Sequence, residues 1–185
     1  VILGIVLTPS VMTALAGEPV EVSLNWIPAL DVSATLLLDG LASLFALLVI
    51  GVGALIFAYC PRYLHGDHHS RTYVLLTLFA ASMLGLVLAA DLVLLFVFWE
   101  LTTVLSFLLI GYWHHNPAAR DSARMALTIT VTGGLCLLVG MLLIGHIVGS
   151  YDLDAVLASG DLIRDHDLYL PTLLLVLAGA LTKSA

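Results

Sequence analysis

Long apolar runs alternate with short polar intervals along this chain. Six runs stand out: Val1 to Ala16, Leu36 to Cys60, Tyr73 to Ala89, Leu92 to Tyr112, Ala126 to Val148 and Tyr169 to Ala185. About 20 helical residues, at ~1.5 Å each, cross ~30 Å of hydrocarbon. The middle runs approach or exceed that length and the first and last look clipped. The pattern predicts an all-α fold, a polytopic transmembrane helix bundle with about six helices in the chain.

The polar intervals give the bundle a direction. Arg62 and Arg71 flank the second interval, and Arg120 and Arg124 follow Pro117 in the fourth. The first interval, GEPVEVSLNWIPALDVSA, has Glu18, Glu21 and Asp31 with no Lys or Arg, and reads as a loop. The third is a tight turn around Ala90 and Asp91. The fifth holds Asp152, Asp154, Asp161, Asp165 and Asp167 against Arg164 alone, and DLDAVLASGDLI within it suits a short surface helix from Asp152 to Gly160. Cytoplasmic loops of membrane proteins carry the excess of Lys and Arg, so the basic even intervals face the cytoplasm and the acidic odd ones face outward. Trp26 and Tyr151 on the outer side, and Tyr63, Tyr112 and Trp113 on the inner side, suit interfacial anchors.

Composition agrees with this reading. The 185 residues are 61% hydrophobic and 10% charged, with a mean hydropathy of +1.12, which sets the chain apart from soluble domains. A net charge of −7 argues against nucleic acid as a partner; the bilayer is the partner that composition implies. No cleavable signal pattern is present. The last apolar run stops at Ala185, just after Lys183, so residues 1–185 are expected to be a single transmembrane domain truncated at both ends.

Two ionisable groups fall inside apolar runs, Glu100 and Lys183. A central charge costs roughly 3 kcal/mol in an inserting helix, which the surrounding Leu, Ile, Val and Phe outweigh. Their two helices run in the same direction. Glu100 lies about 12 Å beyond Leu92, and Lys183 about 16 Å beyond Thr172, so the two heads are expected at similar depth. A buried carboxylate alone tends to keep its proton and a buried ammonium tends to lose one, whereas a pair favours both charges. Joining or separating them would therefore move a proton, as in an intramembrane relay. The same placement also suits a static ion pair that pins two helices.

Other candidates carry weaker arguments. Thr102, Thr103 and Ser106 follow Glu100, where hydroxyls can hold water or bond back to the helix. His146 near the outer end of the fifth run can pass protons or merely rest at the interface. Asp39 lies in the first turn of the second run, where a carboxylate favours the helix N-terminus. The histidines His65, His68 and His69 with Asp67, and the pair His114 and His115, lack metal-ligand spacing, so no metal site is expected. Cys60 and Cys136 read as small core residues. Thr128, Thr130, Thr132, Gly133, Gly134, Gly140 and Gly145 read as helix-packing positions. No phosphate-binding loop, nucleophile and base pair, haem motif or flavin motif is present, so neither an enzyme nor a cofactor is expected.

The segments FVFWELTTVLSFLLIGYWHH (Phe96 to His115), LDGLASLFALL (Leu38 to Leu48) and GALTKSA (Gly179 to Ala185) closely resemble the large A-type component of Mrp-type multisubunit cation/proton antiporters. That family is related to the antiporter-like membrane subunits of respiratory complex I. The resemblance implies an N-terminal part of a larger antiporter-like subunit, whose second to seventh helices correspond to the six runs. It implies a multi-pass protein of the bacterial plasma membrane that works beside other membrane subunits, exchanging protons for sodium or a similar cation. Glu100 and Lys183 match the family's proton-transfer pair. Thr102 and Thr182 stand where complex I relatives tend to have glycine, which favours the antiporter type over a proton-pumping subunit of a redox enzyme.

Overall fold

The computed structural model describes residue 13 and residues 19–27, 32–63, 69–113 and 115–184. The expected first helix, apart from Thr13, lies outside the described residues, as do His65, Asp67, His68 and His114.

The acidic first interval is not a loop. It forms an antiparallel hairpin of β1 (Val20–Ile27) and β2 (Val32–Leu38), with Val20 opposite Leu38 and an irregularity between Asn25 and Ile27. The residues VEVSLNW alternate strictly between apolar and polar, the period of a strand. The second apolar run accordingly begins as strand through Leu38, and its helix starts only at Gly40.

Five helices follow that carry the bundle: α1 (Gly40–Tyr63), α2 (His69–Leu88), α3 (Leu92–Ile110), α4 (Pro117–Val148) and, after two short surface helices α5 (Leu153–Ala158) and α6 (Gly160–Arg164), α7 (Tyr169–Ser184). The first four are long and apolar enough to cross a membrane. At 16 residues α7 is shorter, about 24 Å. Each long helix packs on the next, and α7 lies along α4.

Local chemistry sets the helix ends. Asp39 accepts from the Ala42 amide at 2.7 Å ahead of α1. Asp91 caps α3, its Oδ1 accepting from Val93 at 2.7 Å and Leu94 at 3.1 Å. Asn116 caps α4 with Pro117 in the first turn, so this helix starts nine residues before the apolar run that marks it in the sequence. It ends at Gly149, whose left-handed φ of 78° returns its N–H to Gly145 at 2.8 Å. Asp152 caps α5 through Ala155 at 2.9 Å.

Inside and outside are reversed relative to a protein folded in water. Large apolar side chains point outward, Leu55 at 72% exposure among them, while the largest fully buried side chains among the described residues are Ser43, Ser82 and Thr102. Such a surface suits a solvent of lipid tails, and small residues inside let helices approach closely.

The odd intervals meet at one end. Ala90 donates to Thr35 and Leu153 donates to Ala90, each at 2.9 Å, and Leu92 donates to Tyr151 at 2.9 Å. The Ala90–Asp91 turn is thus laced to the hairpin on one side and to the α5 connection on the other. Asp91 is buried in this joint, and that burial pushes its carboxyl above the usual range. At the opposite end the Arg71 guanidinium lies over the Tyr112 ring at 5.9 Å. Acidic and basic intervals therefore occupy opposite ends of the bundle, as the charge pattern requires.

Asp161 and Asp121 are both well exposed, one in each set. In a full-length protein otherwise freed of cysteine, a membrane-impermeant maleimide added to intact cells is expected to label Asp161→Cys and to spare Asp121→Cys. Reversed labelling would contradict the assigned direction.

Candidate functional site

The site is built where α3, α4 and α7 meet. Trp99 and Thr103 lie one turn apart along one side of α3, with Glu100 beside them. Lys183, in the last turn of α7, reaches across to α3. Its Nζ donates to the Trp99 carbonyl at 3.0 Å and to Thr103 Oγ1 at 2.5 Å, and it lies 5.1 Å from the Trp99 ring centroid. An ammonium brought into an apolar span must find acceptors there, and a carbonyl, a hydroxyl and an aromatic face supply them.

Glu100 shares this depth but not this contact. The described ion pairs are Arg124–Asp121 at 3.9 Å and Arg164–Asp161 at 3.5 Å, and Glu100 with Lys183 does not form another among the described residues. The two charges are near enough to act on each other electrostatically. Glu100 Oε1 is buried without a hydrogen-bond partner, as is the Trp99 indole nitrogen. This carboxylate oxygen is instead packed against α4 at Gly134.

Two adjacent glycines of α4 make the room. A Cβ at Gly134 would strike the Glu100 carboxylate, and one at Gly133 would strike the Thr182 side chain beside Lys183. A Cβ at Gly179 would meet Leu137 Cβ at 2.5 Å and the Gly133 carbonyl at 2.9 Å. The double glycine forms a saddle with the carboxylate on one flank and the lysine-bearing turn on the other. In the sequence these glycines read as packing positions; their packing is what seats the site.

The remaining sequence candidates separate clearly. Thr102 is buried and donates to the Trp99 carbonyl at 2.7 Å, while Ser106 donates to the Thr102 carbonyl at 2.7 Å, so both bond back to their own helix. Thr103 also bonds back, to the Trp99 carbonyl at 3.2 Å, but in addition accepts from the lysine. Asp39 caps α1 at the outer end, where with Asp154 it lines a pocket of about 180 Å³. His146 is exposed in the last turn of α4, about 18 Å along the helix from Gly134. Neither is brought to the pair. Among the described residues no group of three or more His, Cys, Asp or Glu is placed to hold a metal. The Trp99 carbonyl has no signature in a sequence, since every residue carries one.

Residues 89–185 match the family described as NADH:quinone oxidoreductase/Mrp antiporter, transmembrane, which covers more than half of the chain. The chain belongs to this family. Residues 26–74 also match the N-terminal family of complex I chain 5. The chain is 56% identical over 171 residues to a probable K(+)/H(+) antiporter A/B subunit of Rhizobium meliloti, covering 92% of this chain and 17% of that one. It is 43% identical over 167 residues to the putative antiporter component mnhA2 of Staphylococcus aureus, covering 89% and 21%. Among solved structures it resembles a chain of the Mrp complex from Dietzia sp. DQ12-45-1b, with a TM-score of 0.85 and 40% identity over 95% of this chain and 20% of that chain. It also resembles a chain of an archaeal membrane-bound sulfane sulfur reductase, with a TM-score of 0.73 and 26% identity, over 97% and 27% respectively. The chain spans about a fifth of the length of the antiporter relatives it matches. The expected family and membrane-helix fold are thereby established.

The glycine contacts separate packing from chemistry. Gly179→Ala meets backbone and is expected to destabilise the full-length protein by about 1–3 kcal/mol, read as a lower thermal midpoint in detergent. Gly134→Ala meets only the far end of a flexible side chain and is expected to leave that midpoint within about 1 kcal/mol while displacing the Glu100 carboxylate. A larger midpoint loss for Gly134→Ala than for Gly179→Ala would contradict this assignment.

Proposed function

We propose that this chain is the N-terminal part of an A-type subunit of a multisubunit monovalent cation/proton antiporter, and that Glu100 and Lys183 pass protons within it. The subunit works in the bacterial plasma membrane beside other membrane subunits, exchanging protons for sodium or a similar cation. The observation that carries the reading is the lysine's reach: Nζ bridges from α7 to α3 within the apolar span, at the depth of a buried carboxylate. The antiporter names of the two relatives support it.

A direct ion pair would hold both charges fixed. Here the lysine rests on neutral acceptors that it can exchange, and the carboxylate is not ion-paired with it, so each can change its proton without first breaking a pair. Cation binding elsewhere in the subunit would bias the distance between them, which couples the two ions. A second reading is a proton-pumping membrane subunit driven by redox chemistry in partner subunits, favoured by the match of residues 26–74 to a complex I family and by the likeness to a respiratory complex. Flavin and iron-sulfur subunits copurifying with the chain would mark that reading.

In everted vesicles, Glu100→Gln and Lys183→Ala are each expected to abolish cation-driven proton movement while the complex still assembles. Near-normal exchange in either variant would overturn the assignment.

A further inference from the structure

We propose that Thr103 is a positioning residue for Lys183, holding its Nζ on α3 in both the charged and the neutral state. The proposal rests on the proton-transfer reading of Lys183 above.

A neutral lysine still donates through its two N–H bonds, but it also carries a lone pair that needs a donor. The Trp99 carbonyl and the Trp99 ring face attract a cation and offer nothing to the lone pair of a neutral amine. A hydroxyl differs, because it accepts through oxygen and donates through hydrogen. Thr103 Oγ1 lies 2.5 Å from Nζ and accepts from it while its own O–H points to the Trp99 carbonyl, at a longer 3.2 Å. That carbonyl is oversubscribed: Thr102 donates to it at 2.7 Å and Lys183 at 3.0 Å. The Thr103 proton is therefore the one most readily turned elsewhere.

When Lys183 yields its proton, an N–H bond breaks, an O–H bond forms on an acceptor such as the Glu100 carboxylate, and nitrogen keeps the electron pair. Thr103 then swings its O–H from the Trp99 carbonyl to that pair. Nitrogen stays in place while the hydrogen bond reverses direction, and the lysine is poised to take up the next proton. Thr103 itself neither gains nor loses a proton. Its burial, at 2% exposure, keeps bulk water from substituting for the hydroxyl.

The test uses the complete complex in everted vesicles, with rates normalised to assembled complex. Thr103→Val keeps the shape and removes the hydroxyl; it is expected to lower the maximal exchange rate about tenfold or more, with the half-saturating cation concentration within about twofold of wild type. Thr103→Ser is expected to restore the rate to within about threefold of wild type. Should Thr103→Val not assemble, Thr103→Ala is read in its place with the same expectation. A wild-type rate without the hydroxyl, or a Thr103→Ser variant as slow as Thr103→Val, would overturn the proposal. Lys183→Ala in the same series separates the two claims. Exchange surviving in Lys183→Ala removes the relay reading, whereas exchange lost there but intact in Thr103→Val removes only the role of Thr103.

Discussion

An ammonium in hydrocarbon must be solvated by the protein or give up its charge, and three helices are arranged around that requirement. The lysine at the end of α7 reaches α3 only because α4 lies between them with no side chain at Gly133 and Gly134. Those glycines bring the backbones together, the close approach seats Glu100 against α4, and the Trp99–Thr103 turn receives the amine. Removing any one contributor would leave a charged head without its acceptors or a carboxylate without its space.

The rest of the structure holds this meeting point at a fixed depth. Caps at Asp91 and Asp152 fix where α3 and α5 begin, and the backbone bonds through Thr35, Ala90 and Tyr151 tie the hairpin and the α5 connection to the start of α3. α3 is thus anchored at its outer end, eight residues before Glu100. Outward-facing Leu and Val leave the long helices matched to lipid, and several interior hydroxyls, those of Ser82, Thr102 and Ser106, bond back to their own helix. The site is buried by position in the bilayer as much as by protein.

How much of this a sequence can carry depends on the kind of signal. Helices of bilayer length, their direction and the two intramembrane charges follow from hydropathy and from where Arg and Asp fall. The WELT and TKSA stretches then narrow the family. The hairpin was legible in the alternation of VEVSLNW, but attention to its charges conceals a period of two. The helical turns before Ala126 are polar, and only the Asn116–Pro117 cap marks them. Least legible was the state of the pair: depth arithmetic brings Glu100 and Lys183 level, yet the lysine's partners are a backbone carbonyl and a hydroxyl four residues further on. Side-chain rotation and the approach of α7 across α4 decide that, and neither is written in residue spacing.

The central claim is that the Glu100 carboxyl changes its protonation as the complex works. Infrared difference spectra of the full complex, recorded with and without the exchanged cation, read this directly. The expected result is a protonated-carboxyl band that appears in one condition, disappears in the other and is missing from Glu100→Gln. A difference spectrum in which the Glu100 contribution is unchanged by the cation would show a carboxylate that keeps one charge state, and would contradict the account.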